Sequence, residues 1–414
     1  MGKILKRTIS LTPISMTIFA VIFGIILPYI SIKTGAYDRF SISYYSIWVT
    51  HRAALEAYDW SIRFVLLAIA MGTCLLWNKI GGEKKKCSLG VVLLICGEAF
   101  SIFGPWYYNK TDSFGLAKWE LATLKEYLIR ESIIDVSKCL ILVGAIILLM
   151  NLISLLKDIG DGKMRGLDVA IVSGFGVLGS AFAFFIQSQS VELLELVLIV
   201  AVVAVVLIIG AVWVTHSAKP FAPIDKNQIK ISVHGLLVGC MAILCLTYIM
   251  LFSRFYVKAR IADVDWEASY FFFIVSLFIS SIVVGICAEK SKKKRPTSLL
   301  MIGCACLLLG SILMSLIKDN YFIIFLSVIS YGVAYAFILV GLFSEVYNIL
   351  PIKAGSFAII AISGISYLLL IVLWSSLNTL ANLFGGHFTV FFLLALLIVI
   401  TTYLLWMHDK QSIR

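Results

Sequence analysis

Ionisable side chains inside long apolar segments are the residues of this chain best placed to carry chemistry. Glu98 lies about ten residues into the apolar run 88–107, deeper than any other acid. A charge in the hydrocarbon of a bilayer is costly, so such a residue marks a proton or substrate site unless hydrogen bonds hold it in a structural role. Asp135 and Lys138 stand one helical turn apart at the start of the run 134–156. This pair fits a site for protons or substrate, and equally a solvated helix end.

Tyrosines and one arginine complete the set of candidates. Tyr331 and Tyr335 are one helical turn apart in a later apolar run, while Tyr248 lies within another and Arg254 ends it. Aromatic rings that carry hydroxyl groups suit a cavity for an amphipathic or organic solute. They suit packing between helices equally well, and an arginine at a membrane rim can simply extend its charge into water.

The composition places most of the chain in a lipid bilayer. Apolar residues make up 61% of the 414 residues, charged residues only 14%, and the mean hydropathy is +1.01. A soluble protein of this length needs more charge to cover its surface. Twelve runs reach the length of about 20 apolar residues that a helix needs to cross a bilayer core. They lie at roughly 9–32, 60–78, 88–107, 134–156, 167–187, 191–215, 231–253, 268–288, 298–317, 321–347, 354–377 and 387–407.

The distribution of basic residues predicts the orientation. Segments on the side of the N-terminus hold 21 Lys or Arg and 8 Asp or Glu, whereas the opposite side holds 13 and 14. Cytoplasmic loops are enriched in Lys and Arg. We therefore expect both termini in the cytoplasm of a protein integral to the inner or plasma membrane. The net charge of +11 follows from this bias and does not indicate nucleic-acid binding.

Longer polar segments divide the chain. The outer segments 33–59 and 108–133 mix aromatic and charged residues, which predicts short amphipathic helices at the level of the lipid headgroups. The segment 216–230 contains two of the seven prolines and is the expected cytoplasmic linker. It separates an N-terminal six-helix bundle, 1–215, from a C-terminal six-helix bundle, 231–414.

Two cytoplasmic loops carry similar basic clusters, one after the second apolar run and one after the eighth. Their spacing indicates an internal repeat of two six-helix halves, a recurrent transporter architecture. Both loops resemble the signature Gly-x-x-x-Asp-Arg-x-Gly-Arg-Lys of the major facilitator superfamily, although an asparagine replaces the acid in the first copy. The residues at the signature positions are Asn78, Lys79 and Gly81 in the first copy, and Gly285, Glu289, Lys290 and Lys293 in the second.

Two further stretches are similar to conserved turns of the same family: 162–166, Gly-Lys-Met-Arg-Gly, and 345–355, which runs from Glu345 to Gly355. The resemblance implies an all-α membrane protein of about twelve transmembrane helices in two pseudo-symmetric bundles. It also implies a secondary transporter that works by alternating access. The basic loops would then pair with the other half and hold an inner gate shut, unless they only reflect the excess of positive charge inside.

The glycines of the fifth run bear on direction. Gly174, Gly176 and Gly179 resemble the pattern of proton-coupled exporters in this family, which favours efflux. Small residues at this spacing also serve simply to let helices approach closely.

An enzyme is the alternative class. Phosphate loops, nucleophile elbows and His-Glu-x-x-His helices are absent from the sequence. A multi-span glycosyltransferase that uses a lipid-linked donor would explain the long outer segments, with Asp38, Glu56 and Asp59 as catalytic or metal-binding acids. The repeat and the paired basic loops favour the transporter instead. We expect a monomer whose partners are a small organic solute, protons and the lipid bilayer, with no cofactor and no metal.

Overall fold

Helices account for nearly all of the residues that the structure describes. This structure is a computed structural model, and it describes residues 2–31, 41–111, 124–160, 162–188, 193–217, 266–290, 296–315 and 321–383. Apolar runs of this length become helices in a bilayer because a helix satisfies every interior backbone group within the segment. The ten described helices are α1 Gly2–Ser31, α2 Ser41–Leu76, α3 Glu83–Thr111, α4 Leu124–Ile159, α5 Gly166–Ser188, α6 Leu193–Ser217, α7 Trp266–Lys290, α8 Pro296–Ser315, α9 Tyr321–Ile349 and α10 Ile352–Leu383.

These ten helices coincide with ten of the twelve predicted spans. The other two predicted spans, 231–253 and 387–407, lie outside the described residues. Within the described part, five helices contain segments long and apolar enough to cross a membrane, and four more contain shorter apolar segments. The prediction of an all-α membrane protein is confirmed.

The N-terminal ends of two helices extend beyond the predicted spans. Helix α4 begins at Leu124, so residues 124–133 of the predicted interfacial segment 108–133 continue this helix, while residues 112–123 of that segment lie outside the described part. Helix α2 begins at Ser41, and a non-helical His51 (φ −120°, ψ 27°) separates its first ten residues from the span. The extension of α4 contains no Gly or Pro, so this helix propagates at one hydrogen bond per added residue, whereas the helical segment Ser41–Thr50 of α2 is offset from its span by the break at His51.

The chain forms two compact units. The first comprises Met1–Leu155 and Gly179–Pro220, and the second comprises Leu156–Leu178 and Phe221–Arg414. In the first unit, α1 packs on α6 and α3. In the second, α9 packs on α7 and α8. The predicted bundles 1–215 and 231–414, with their linker 216–230, stay a prediction, since most of the linker lies outside the described residues.

The two units share one packing pattern. In the first, a Cβ on Gly97 of α3 would lie 2.6 Å from Cγ1 of Ile141 in α4. In the second, a Cβ on Gly303 of α8 would lie 2.6 Å from Cγ1 of Ile338 in α9. A second contact also corresponds. A Cβ on Gly144 of α4 would lie 2.7 Å from the backbone nitrogen of Leu94 in α3, and a Cβ on Gly341 of α9 would lie 3.2 Å from that of Leu300 in α8. The corresponding residues are Leu94 and Leu300, Gly97 and Gly303, Ile141 and Ile338, and Gly144 and Gly341. This correspondence supports the predicted internal repeat.

Candidate functional site

Glu98 lies in the interior of the first unit, on the side of α3 that faces α1. Its side chain is 0% exposed, and neither carboxylate oxygen has a hydrogen-bond partner within the described residues. A Cβ placed on Gly24 of α1 would overlap Oε1 of Glu98. The nearby Ser101 hydroxyl donates to the backbone oxygen of Glu98 at 2.7 Å and leaves the carboxyl group unsatisfied.

Small residues of α3 and α4 determine where Glu98 points. Gly97 faces α4, where an added Cβ would lie 3.0 Å from the carbonyl oxygen of Ser137. Gly144 of α4 approaches α3 so closely that an added Cβ would lie 2.7 Å from the carbonyl oxygen of Gly90. Because Gly97 contacts α4, the next residue, Glu98, is turned about 100° around the helix axis and reaches α1 instead.

Asp135 and Lys138 form a second polar group in the same unit. The Lys138 ammonium donates to Oδ1 of Asp135 at 2.8 Å, and the Tyr58 hydroxyl of α2 donates to Oδ2 at 2.8 Å. Asp135 is buried, whereas 27% of the Lys138 side chain is exposed. The predicted pair is therefore present. Sequence analysis missed Tyr58, because nothing in the sequence indicates which helix faces α4 at this level.

The structure does not join these two polar groups by a hydrogen bond. Both oxygens of Glu98 are unpartnered among the described residues, whereas both oxygens of Asp135 accept bonds from Tyr58 and Lys138. Glu98 faces α1 and Asp135 faces α2. These two acids of the first unit thus differ chemically: Asp135 is paired, and Glu98 has no hydrogen-bond partner among the described residues.

The tyrosines of α9 contact two different helices. Tyr331 is buried, packs on Gly310 of α8 and donates to the Ser311 hydroxyl at 3.4 Å. Tyr335 places its ring edge-on to Phe273 of α7, with 6.2 Å between ring centroids. Both positions contribute to packing between helices of the second unit. The other candidates, Tyr248 and Arg254, lie outside the described residues.

The first copy of the loop motif forms a tight turn between α2 and α3. Asn78 and Lys79 are exposed in a short 3-10 turn, and Gly81 has a φ of +107°, which favours glycine. Lys86 is buried with its ammonium 3.6 Å from the centre of the Trp77 ring. Burial lowers the pKa of Lys86, and the charge of Glu83 acts in the opposite direction. The ring face stabilises the lysine charge in a place that water reaches poorly.

The second copy of the motif ends α7. An added Cβ on Gly285 would lie 2.5 Å from the Cβ of Ala170 in α5, and one on Gly166 would lie 2.6 Å from the Cβ of Ala288. This motif glycine therefore serves a close helix contact in the second unit. Glu289 and Lys290 are the last two residues of α7, but their side chains are outside the described part, as is the whole of Lys293.

A set of hydrogen bonds between the α4–α5 turn and the end of α9 was missed by sequence analysis. The Lys157 ammonium donates to the Tyr347 carbonyl oxygen at 2.7 Å. The Asn348 amide accepts from the Met164 nitrogen at 2.7 Å and donates to the Met164 oxygen at 3.2 Å. These residues lie in or beside the two turns that resemble the superfamily, which was the available signal. The contact itself could not be predicted, because its partners lie more than 180 residues apart in the sequence.

Among the described residues, no group of three or more His, Cys, Asp or Glu side chains could hold a metal ion.

Comparison with known proteins identifies the family. The sequence profile of the Major Facilitator Superfamily matches residues 139–358, more than half of the chain. The chain therefore belongs to the Major Facilitator Superfamily. Members of this superfamily are transporters and not enzymes, so the prediction of a non-enzyme is confirmed and the glycosyltransferase alternative is set aside. The protein is an integral membrane protein of a family that moves small solutes across the bilayer by secondary transport.

Solved structures show the same fold along almost the whole chain. The Escherichia coli fucose:proton symporter FucP is 12% identical, with a TM-score of 0.62 that covers 97% of this chain and 98% of that one. The human organic anion transporter MFSD10 is 11% identical, with a TM-score of 0.60 over 97% and 99%. A bacterial homologue of the iron transporter ferroportin is 11% identical, with a TM-score of 0.61 over 98% and 100%. Among curated proteins, none matches the sequence.

Proposed function

We propose that the protein is a proton-coupled secondary transporter in which Glu98 is the coupling carboxyl. The observation that carries this proposal is the complete burial of a carboxyl group whose oxygens have no hydrogen-bond partner among the described residues. An ionised carboxylate in such a place is destabilised by several kcal/mol. Glu98 therefore keeps its proton in this conformation, and it ionises in a conformation that admits water.

Alternating access supplies the second conformation. In transporters built from two halves, a central site opens first to one side of the membrane and then to the other. A carboxyl group that is neutral when buried and ionised when hydrated takes up a proton on one side and releases it on the other. The proton gradient then drives the movement of the solute, because only the neutral carboxyl can pass through the buried state at low cost.

We propose a small organic solute with polar groups. Lys138 is partly exposed beside Asp135 and Tyr58, so its ammonium has room to donate a hydrogen bond to a solute while the pair stays intact. Tyr335 offers an aromatic surface in the second unit. Tyr248 and Arg254 stay predicted solute contacts, and both lie outside the described residues.

We propose export as the direction of transport, from the resemblance of the α5 glycines to those of proton-coupled exporters. The packing offers a second role for two of them. Gly174 lies 3.4 Å, measured from an added Cβ, from the Phe278 ring, and Gly179 lies against the backbone of Phe19. Uptake into inside-out vesicles and into right-side-out vesicles, compared under the same pH gradient, tests the direction.

A flux screen tests the transport function. The purified protein is reconstituted in liposomes that contain a pH-sensitive dye, and an imposed pH gradient is applied. Monosaccharides, amino acids, organic anions and amphipathic cations are added one class at a time. Proton movement that depends on one class, and accumulation of that solute against its gradient, is the expected result. If the solute moves without any change of the internal pH, the protein is a transporter that is not coupled to protons.

Substitution of Glu98 tests the coupling role. Glu98→Gln imitates the protonated carboxyl in shape, so the variant should still exchange the solute found in the screen but fail to accumulate it. Asp59→Asn is the control, because it neutralises an exposed acid of α2 in the same unit, and it should accumulate solute as the natural protein does. If Glu98→Gln accumulates solute as the natural protein does, Glu98 has a structural role, and Asp135 and Lys138 become the candidates for proton coupling.

A further inference from the structure

The contact between α1 and α3 is built around a single glycine. A Cβ on Gly24 would overlap Oε1 of Glu98, and it would lie 3.1 Å from Cδ of Glu98 and 3.0 Å from Cδ2 of Leu94. The carboxyl group thus occupies the space that any other residue at position 24 would fill with its β carbon. Glu98 rests directly on the backbone of α1.

Among the described side chains of the facing helices, no charged group explains the position of this carboxyl. The described side chains of α1, residues 9–26, and of α6, residues 197–212, include no ionisable residue. On α4, Asp135 and Lys138 bind each other, and Cys139 is half-buried. On α3 itself, Cys96 is exposed. Glu98 is therefore held by shape, and the shape is set by the missing side chain of Gly24.

We propose that Gly24 is the positioning residue of the coupling carboxyl, and that the contact between α1 and α3 at this glycine controls the access of water to Glu98. The proposal rests on the proposed proton coupling for its functional meaning. A proton leaves Glu98 for water, or returns from it, only after α1 and α3 separate at Gly24. Because the two helices meet through a glycine and a carboxyl group, a small displacement is enough to admit a water molecule.

Chemical labelling tests this inference without knowledge of the solute. A carbodiimide adds to a protonated carboxyl: the acid proton passes to a carbodiimide nitrogen, the carboxyl oxygen bonds to the central carbon, and no group leaves. In the natural protein, lipid-soluble dicyclohexylcarbodiimide should modify Glu98 much faster than a water-soluble carbodiimide does, because the closed contact between α1 and α3 keeps water away from the carboxyl group. Mass spectrometry of the peptide that contains Glu98 measures both reactions.

Gly24→Ala is the decisive variant. The added methyl group overlaps the carboxyl, so either the carboxyl is displaced or the helices part, and labelling by the water-soluble reagent should rise on the order of tenfold. Combination with Glu98→Asp shortens the acid by one methylene and should restore protection. Combination with Glu98→Gln keeps the length and should not restore folding or thermal stability. If Gly24→Ala alone gives no folded protein, recovery of folded protein by Glu98→Asp and not by Glu98→Gln carries the same conclusion.

Gly210→Ala is the control for a merely structural effect. Gly210 of α6 also packs on α1, where an added Cβ would overlap Oγ1 of Thr17, and the described side chains of these two helices include no acid. This variant should lose stability and keep the natural labelling pattern. Equal labelling by the two reagents in the natural protein, or the same gain in Gly24→Ala and Gly210→Ala, would overturn the inference. If the labelling pattern holds but Glu98→Gln still accumulates solute, proton coupling fails while the positioning role of Gly24 stands.

Discussion

The hydrogen bond from Tyr58 to Asp135 gives the most quantitative test of the first unit. Tyr58→Phe removes only the hydroxyl group, which donates to Oδ2 of Asp135 at 2.8 Å. The partner is a buried carboxylate whose other oxygen accepts from Lys138. The substitution therefore leaves one carboxylate oxygen without its donor while the ion pair to Lys138 remains.

The expected loss follows from the charge of the acceptor. A hydrogen bond to a charged group contributes about 1.5–3 kcal/mol to stability. Tyr58 and Lys138 are both partly exposed, so water screens the interaction and the lower end, about 1.5 kcal/mol, applies. For a unit of this size, about 2–4 °C of melting temperature corresponds to 1 kcal/mol, so Tyr58→Phe should lower the apparent melting temperature by about 3–6 °C.

The assay is thermal unfolding of the purified protein in detergent, with two comparisons. Tyr331→Phe removes a hydroxyl whose bond to Ser311 is neutral and long, at 3.4 Å, so it should cost less than about 1 kcal/mol. In an Asp135→Asn background, Tyr58→Phe should cost about half as much, because bonds to neutral acceptors are roughly half as strong. An equal loss in both backgrounds would show that the ring moves and that the charged hydrogen bond is not the cause.

The remaining predictions address orientation, gating and packing. A cysteine in place of Ser113 should react with an impermeant reagent applied to intact cells, and one in place of Ser291 only after permeabilisation; labelling of the second site in intact cells would reverse the orientation. Glu289→Gln should shift the protein toward an inward-open state and slow its cycle while solute binding is retained. If the distances between probes on the two halves at the cytoplasmic face do not change, the basic residues of this loop only reflect the excess of positive charge on the cytoplasmic side. Gly144→Ala should destabilise the protein by about 1–3 kcal/mol, because its Cβ would lie 2.7 Å from backbone atoms of α3, whereas Gly72→Ala on α2 meets nothing within 4 Å and should be neutral or stabilising.

Hydropathy averaged along short stretches of the chain predicted the class of fold well. Hydropathy averaged over about 20 residues locates helices that cross a bilayer, because the bilayer imposes one length and one polarity on every span. The ten described helices fall on predicted spans for this reason. The helix ends were less predictable: residues 124–133 are polar enough for an interfacial segment, but they continue α4 because nothing in them breaks a helix.

The sequence by itself determined that this is a helical membrane protein of the transporter type and that Glu98 is its deepest acid. Only the tertiary structure decided what each candidate contacts. Glu98 meets Gly24, and Asp135 meets Tyr58 across 77 residues of chain. The physical reason is that helix crossings place side chains from distant segments together, and hydropathy carries no information about which faces meet. A paired acid and an isolated acid look alike in a sequence, and they differ only in what the neighbouring helices bring to them.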